Sequence, residues 1–515
     1  MRRRVNCTPL PGRATMLKRT VTTAREPSVR ARATRMVCVS ALVLLLCSFR
    51  LCRAQDSALA ERLKSIVTSN GVLLTEAGIK IVSVRTGETL LDSFGDKLFV
   101  PASNAKLVTT AAALHLLGPE YRFETRLYVR GTIDGGILNG DLLVVGGGDP
   151  DISGRFHNGD PRFLFKAWAR KLLQLGIREV RGGIVGDAGA FDAQYVHPSW
   201  PKDQLEKWYC APVSALTLND NCVDVTVRAG SKAGAPALFS VVPDIGYTSV
   251  KNRCVTTVNR ADHLYGFVGR AGARGVILRG KFWVSGFNAT TAVPVEDPPL
   301  FFLKAMRATL AAEGVAVKGD LAVTHEPVAA ADGVKLVAVY ESLLGRAVRV
   351  ANKRSQNLYA ELMFKTLGFK ATGKGTFESG GAVVKGFLAK VSPGSTECKV
   401  ADGSGLSRGN RLSAAAVADL LCWMVRRPQA DVFAASLPIA GIDGTLKSRL
   451  TGERHRGRVR AKTGTLTGAC SLSGYIEMPD DTLAFSILIN SPRAGVWRMR
   501  KVQDGICREV LDLAH

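Results

Sequence analysis

The chain is 515 residues long, 46% hydrophobic and free of low-complexity tracts, which excludes a single small domain and leaves a globular protein of two or three domains with a large core. Its formal charge of +25, from 69 Lys and Arg against 44 Asp and Glu, favours anionic polymers or membrane faces as neighbours. The seven histidines are scattered and neither Cys-x-x-Cys nor His-Glu-x-x-His occurs, so no metal and no other cofactor is expected.

Residues 1–54 differ from the rest. They hold twelve Arg and Lys against the single acid Glu26, then the apolar run 37–47, then Cys52-Arg53-Ala54 before Gln55. Basic region, short apolar core and small residue read as a secretory signal peptide cut after Ala54, with Met16 or Met36 as alternative starts. The run is too short for a typical membrane span, and bulky Leu46 before Cys47 argues against lipid attachment. A soluble, exported protein is expected. Loss of the leader leaves +14 on 461 residues, a surface suited to peripheral membrane association, and no nucleic-acid partner is expected. Seven cysteines remain, so at least one thiol is unpaired; Cys210 with Cys222, or Cys222 with Cys254, are open pairings.

After the leader, residues 58–68 carry helical periodicity, and 78–84 and 89–91 flank the turn Arg85-Thr86-Gly87-Glu88 as two strands. The apolar run 107–114 continues a helix that Ser103 opens. From 117 to about 339 the pattern changes to strand pairs around glycine turns, such as 123–129 and 140–145. Two helices there, 162–175 and 300–313, each end at a glycine before a strand, Gly176-Ile177 and Gly314-Val315. Such a length is no loop, and it reads as one or two β-rich inserted domains with a weak internal repeat. Helices resume at 342–351 and 358–367, and the glycine-rich polar loop from Asp402 to Arg411 is placed to border a cleft. Strands follow at 458–465, 469–478 and 482–489, then a closing helix at 497–513. The expected fold is α+β: a five-stranded antiparallel sheet with helices on both faces, built from 55–118 and 340–515 around an insertion at 119–339.

The chemistry is carried by three motifs. Ser103 and Lys106 stand three apart, which puts a hydroxyl at the positive end of a helix dipole and an amine on the same face one turn on. Alone this says little, because a serine before a helix is most often an N-cap. Its company decides: Ser355-Gln356-Asn357 follows, then Lys462-Thr463-Gly464 on an alternating stretch. In a desolvated cleft rich in cations, a neutral Lys106 can take the Ser103 proton, and Ser355 with Lys462 can pass protons to a leaving amine. Asn357 offers an amide to the substrate's peptide group, and Gly464 lets the backbone approach a ligand. The N–H groups of Ser103 and Thr465 supply an oxyanion hole.

Two other motifs compete. Gly405-Leu406-Ser407-Arg408-Gly409 fits Gly-x-Ser-x-Gly, with Asp443 and His455 downstream, but it lacks the buried strand and the immediate helix of a nucleophile elbow. Gly368-Phe369-Lys370-Ala371-Thr372-Gly373-Lys374 suggests a phosphate loop, but Gly375 stands where Ser or Thr should bind magnesium, and a helix precedes it. It reads as a basic surface turn.

The set of motifs resembles the D-alanyl-D-alanine carboxypeptidase/endopeptidase family, the class C low-molecular-mass penicillin-binding proteins. The carriers are Ser103-Asn104-Ala105-Lys106, Gly147-Gly148-Asp149-Pro150, Ala211-Pro212-Val213-Ser214-Ala215, Ser355-Gln356-Asn357, the Asp402–Arg408 stretch, Gly441-Ile442-Asp443-Gly444-Thr445 and Ala461-Lys462-Thr463-Gly464-Thr465-Leu466. The long insertion between the first two catalytic motifs is itself a mark of this family. The resemblance implies a β-lactamase/transpeptidase-like domain and a serine enzyme of the periplasm or cell wall. Its substrates would be peptidoglycan stem peptides and its covalent inhibitors β-lactams. It also implies that Thr463 and Thr465 hold the terminal carboxylate, and that Leu406 and Arg408 on the loop, with Trp200, Asp203 and Trp208 in the insertion, line the substrate cleft. Asp203 and Arg408 would take the ammonium and carboxylate of a diaminopimelate side chain. The alternatives are a resistance hydrolase that destroys β-lactams with the same serine, or a non-catalytic wall-binding or β-lactam-sensing module.

Overall fold

The computed structural model describes residues 59–270, 274–326, 328 and 333–512; the leader lies outside the described residues. Arg62–His515 forms one compact unit. Five antiparallel strands make its first sheet, in the order Val459–Leu466, Ala469–Glu477, Thr482–Asn490, Ala77–Ser83 and Thr89–Ser93, so the two ends of the chain meet as expected. The middle strands are buried along nearly their whole length, which requires cover on both faces.

The period of two in Ala469–Glu477 then decides what each face holds. Ser471 Oγ donates to the Pro101 carbonyl at 2.6 Å, Ser473 Oγ to Asn104 Oδ1 at 2.7 Å, and Tyr475 OH to the Leu421 carbonyl at 3.0 Å. This face pins the turn that carries Ser103 and the helix Ala414–Val425. The alternate residue Cys470 faces Gln503 of the closing helix Val496–Asp512.

The insertion builds its own layers. Its largest sheet has the order Ala316–Val317, Glu179–Val180, Ile137–Gly146, Arg122–Asp134, Val334–Leu343, with Ile184–Asp187 and Leu321–Thr324 paired to one another beside Ile137–Gly146. The two glycine-ended helices, Phe163–Gln174 and Pro298–Ala312, pack Phe165 edge-on to Phe302 at 4.9 Å between centroids. Each ends alike: Gly176 and Gly314 take φ near +81° and +92°, and Ile177 and Val315 donate back to Leu172 and Leu310. The strands that follow lie parallel, Glu179–Val180 beside Ala316–Val317. The repeat heard in the sequence is therefore a pair of like units side by side. Two small three-stranded sheets complete the insertion.

Some bounds shift. Val334–Leu343 pairs with Arg122–Asp134 along its length, so the boundary at 339/340 falls inside a strand, and the next helix is Leu344–Lys353. The pairing continues because Tyr340 and Ser342 still have partners to meet: Phe163 stacks edge-on to Tyr340, and Asp149 Oδ1 accepts from Ser342 Oγ at 2.6 Å. All seven cysteines of the described residues carry free thiols, so neither open pairing is formed. The phosphate-loop match is the end of helix Asn357–Thr372, capped by Gly373 in a left-handed conformation.

Candidate active site

Ser103 sits in the 3-10 turn Ala102–Asn104, just ahead of helix Ala105–Leu116 instead of within its first turn. Ala102 holds φ at +46°, a left-handed conformation that is costly with a Cβ. The turn persists because the sheet grips it from below, through Ser471 and through Asn104 Nδ2, which donates to the Lys462 carbonyl at 2.7 Å. Gly464 completes the fit. A Cβ there would lie 2.8 Å from Ser103 N and 2.9 Å from Pro101 O, so the close backbone approach expected of a ligand is made by the Ser103 turn.

Lys106 is fully buried beneath the serine. Its Nζ lies 3.0 Å from Ser103 Oγ, 2.6 Å from Asn357 Oδ1 and 2.8 Å from the Ser404 carbonyl. Two of these partners are pure acceptors and the third is a hydroxyl. A neutral amine satisfies all three, donating to Asn357 and Ser404 and keeping its lone pair for the Ser103 proton. Burial drives the amine toward that state, lowering its pKa to about 7 against the opposing pull of Glu361 and Asp402. Lys462 is equally buried, 2.8 Å from Ser355 Oγ, and burial together with the charge of Lys106 holds its pKa well below the ordinary value. Ser355 bridges helices Leu344–Lys353 and Asn357–Thr372 at φ +57°, a second left-handed non-glycine. Asn357 Nδ2 donates to the Tyr209 carbonyl at 2.8 Å, which leaves one amide hydrogen for a substrate.

Of the supporting acids, Glu361 is not singled out by the sequence and Asp402 enters only as the first residue of the glycine-rich loop. Glu361 accepts from Gly403 N at 2.9 Å and Ser404 N at 2.7 Å, and burial and nearby Asp402 push its pKa up to about 8. Asp402 accepts from Gly405 N, Ser407 N, Asn410 Nδ2 and Trp200 Nε1, and so folds the glycine-rich loop around itself. The signal for Glu361 was present: Asn357, Glu361 and Lys365 recur every four residues, one polar stripe on a helix whose first twelve residues are all buried.

Ser103, Ser355, Asn357, Leu406, Arg408, Trp208, Thr463 and Thr465 line a single cleft of about 1080 Å³. Thr463 Oγ1 donates to Thr445 Oγ1 at 2.7 Å, and Arg500 Nη2 lies 3.4 Å from Thr465 Oγ1. Arg449 and Arg493 also line this end, where Asp504 pairs with Arg449 at 2.7 Å. Two expected members stand elsewhere. Trp200 is 3% exposed, bonded to Asp402 at 2.9 Å and packed on Phe377, so it braces the loop from behind. Asp203 is exposed on the turn Lys202–Gln204 outside the cleft lining, although its neighbours Pro201 and Gln204 belong to it. Trp200→Phe should therefore lower stability by roughly 2 kcal/mol, the scale of a hydrogen bond to a charged group, with little change in KM. Denaturant unfolding beside peptide kinetics reads both; a raised KM with unchanged stability would put Trp200 against substrate.

The elbow is not assembled. Ser407 is buried with its Oγ 2.6 Å from Ser199 Oγ, while Asp443 holds Lys353 and His455 lies 3.2 Å from Asp512.

Comparison with known proteins gives the family and the fold. A family model described as the D-Ala-D-Ala carboxypeptidase 3 (S13) family matches residues 59–508. The chain is 31% identical over 479 residues to a D-alanyl-D-alanine carboxypeptidase of Actinomadura sp. (strain R39), covering 90% of this chain and 86% of that one. It is 25% identical to D-alanyl-D-alanine carboxypeptidase DacB of Haemophilus influenzae, over 82% and 86% of the two chains. The fold matches the crystal structure of penicillin binding protein 4 (dacB) from Haemophilus influenzae with a TM-score of 0.74 at 23% identity, covering 89% of this chain and 99% of that one. The same protein complexed with a β-lactam matches with a TM-score of 0.68 at 23% identity, over 85% and 95%.

Proposed function

The chain belongs to the D-Ala-D-Ala carboxypeptidase 3 (S13) family, and from that premise we propose that it cleaves the terminal D-Ala-D-Ala bond of peptidoglycan stem peptides through an acyl-enzyme on Ser103. The observation that carries the residue assignment is the 3.0 Å contact between Ser103 Oγ and a buried Lys106 whose other two partners accept only. Lys106 Nζ takes the Ser103 proton as Oγ attacks the penultimate carbonyl. Backbone N–H groups of Ser103 and Thr465 hold the oxyanion, and the Lys462–Ser355 pair returns a proton to the departing D-alanine nitrogen. Water then releases the acyl group by the same steps in reverse order. Thr463 and Thr465, backed by Arg500, hold the terminal carboxylate.

The cleft continues past Thr465 to Arg449, Arg493 and Arg500, room that favours leaving groups larger than D-alanine and hence endopeptidase work on cross-links. A β-lactam acylates the same serine. Among the described residues the acid that lines the cleft, Asp504, is tied to Arg449, and Glu361 and Asp402 lie buried behind the loop, so none of these carboxylates is placed to activate a deacylating water. The adduct is long-lived on this reading, unlike that of a resistance hydrolase. The leader directs export to the periplasm or cell wall, and no helix among the described residues is long and apolar enough to cross a membrane.

One assay separates the readings: label with fluorescent penicillin, then follow release of D-alanine from a stem peptide and of the penicilloyl group from the protein. A persistent label with D-alanine release is expected. Rapid loss of label would favour the hydrolase, and a label without peptide cleavage the sensing module.

A further inference from the structure

One small sheet of the insertion ends in an uncovered apolar tip. Ser249–Thr257 and Gly275–Trp283 run parallel, and Leu264–Arg270 runs against them, so the ends at 257 and 283 and the start at 264 meet at one edge. At that edge Leu264, the first residue of its strand, is 80% exposed, and the turns beyond it expose Val258 at 68% and Phe287 at 95%. Isolated exposed leucines are ordinary, but three large apolar groups gathered on one sheet edge are not.

The charges around the tip are graded. Register places Val255, Lys281 and Leu264 side by side in the outermost row, and Arg253 beside Arg279 two residues behind it, all on the exposed face. At about 3.3 Å per residue the arginines lie roughly 7 Å behind the apolar row. Arg260 sits at the edge itself, 5.5 Å from the Trp283 ring. From 249 to 288 the chain has seven Lys and Arg and one acid, Asp262, which pairs with Lys281 at 3.0 Å.

We propose that this tip docks the protein on an anionic lipid surface, with Val258, Leu264 and Phe287 at the headgroup–acyl boundary and Arg253, Arg279 and Arg260 at headgroup level. The spacing fits: interfacial segments bury their apolar side about 5–10 Å deep, with cations on the polar side. An anionic wall polymer offers the arginines a partner but gives the apolar row no reason to be exposed. None of Arg253, Val258, Arg260, Leu264, Arg279 and Phe287 lines the catalytic cleft, so substitutions at the tip leave the cleft's own residues in place.

The test uses chain 55–515, which contains the whole compact unit and lacks the apolar run 37–47, whose hydrophobicity would confound a lipid-binding measurement. Co-sedimentation with phosphatidylcholine vesicles containing phosphatidylglycerol should show binding that weakens roughly tenfold or more in three cases: with phosphatidylcholine alone, at high salt, and in the double variant Leu264→Asp/Phe287→Asp. Hydrolysis of a soluble stem peptide, unchanged in that variant, reports an intact fold. The proposal is overturned by no binding of the parent chain, or by equal binding of the double variant. Binding lost in Arg253→Glu/Arg279→Glu but retained in Leu264→Asp/Phe287→Asp would identify a polyanion site instead. A concentration-dependent dimer that disappears in the double variant, without lipid binding, would make the tip a contact between two copies.

Discussion

Ser103→Ala should abolish covalent penicillin labelling and lower peptide cleavage by on the order of a millionfold, the scale seen when a nucleophile is removed from a machinery that acts as a unit. The fold should persist, because the turn is held by other atoms: Ser471 on Pro101, Asn104 on Lys462, and Gly464 against the backbone. Lys106 keeps Asn357 and Ser404 as partners, so the vacated hydroxyl leaves no unpaired charge. Intact-mass analysis after penicillin treatment, beside near-ultraviolet circular dichroism, distinguishes a dead site from a lost fold. An adduct on the Ser103→Ala protein mapped to Ser407 would sink the assignment and revive the elbow, despite the burial of Ser407.

The parts of the site that sequence made legible are those fixed by short-range periodicity. Alternation over 469–477 announces a strand, and the same alternation sends Ser471, Ser473 and Tyr475 to the face that holds the Ser103 turn. Lys106 three residues after Ser103 needs only helical geometry to fall beneath it. What sequence could not place depends on contacts between distant segments. Trp200 stands only three residues before Asp203, yet one is buried against Asp402 and the other is exposed, a difference set by residues two hundred positions away. The left-handed backbone at Ala102 and Ser355 has no local signature either, since neither is glycine; tertiary grip at Pro101 and at Lys462 sustains it. The stripe Asn357, Glu361 and Lys365 was readable as a face. Only the fold gives its members separate tasks: Asn357 at Lys106, Glu361 under the loop N–H groups, Lys365 on Asp192 at 2.6 Å.

Acylation should rise with pH and level off above an apparent pKa of about 7, because the form of Lys106 that accepts the Ser103 proton is the neutral one. The sign follows from burial: desolvation penalises the ammonium and brings the pKa down from its ordinary value, so neutrality is reached near pH 7 instead of above pH 10. Below the transition each pH unit lost should cost close to tenfold in the second-order rate of penicillin acylation. Lys106→Ala should remove the limb together with the activity, by about four orders of magnitude or more. Glu361→Gln supplies the sharper test. Whatever negative charge Glu361 carries while the amine titrates favours the ammonium, and burial keeps that charge small by pushing the Glu361 pKa up to about 8, so its removal should move the limb to lower pH by a modest amount and never upward, while leaving the plateau within a few fold. The measurement is the pH profile of penicillin acylation for the three proteins at fixed ionic strength. A limb that moves to higher pH in Glu361→Gln, or survives in Lys106→Ala, would assign the titration to another group and take the base role from Lys106.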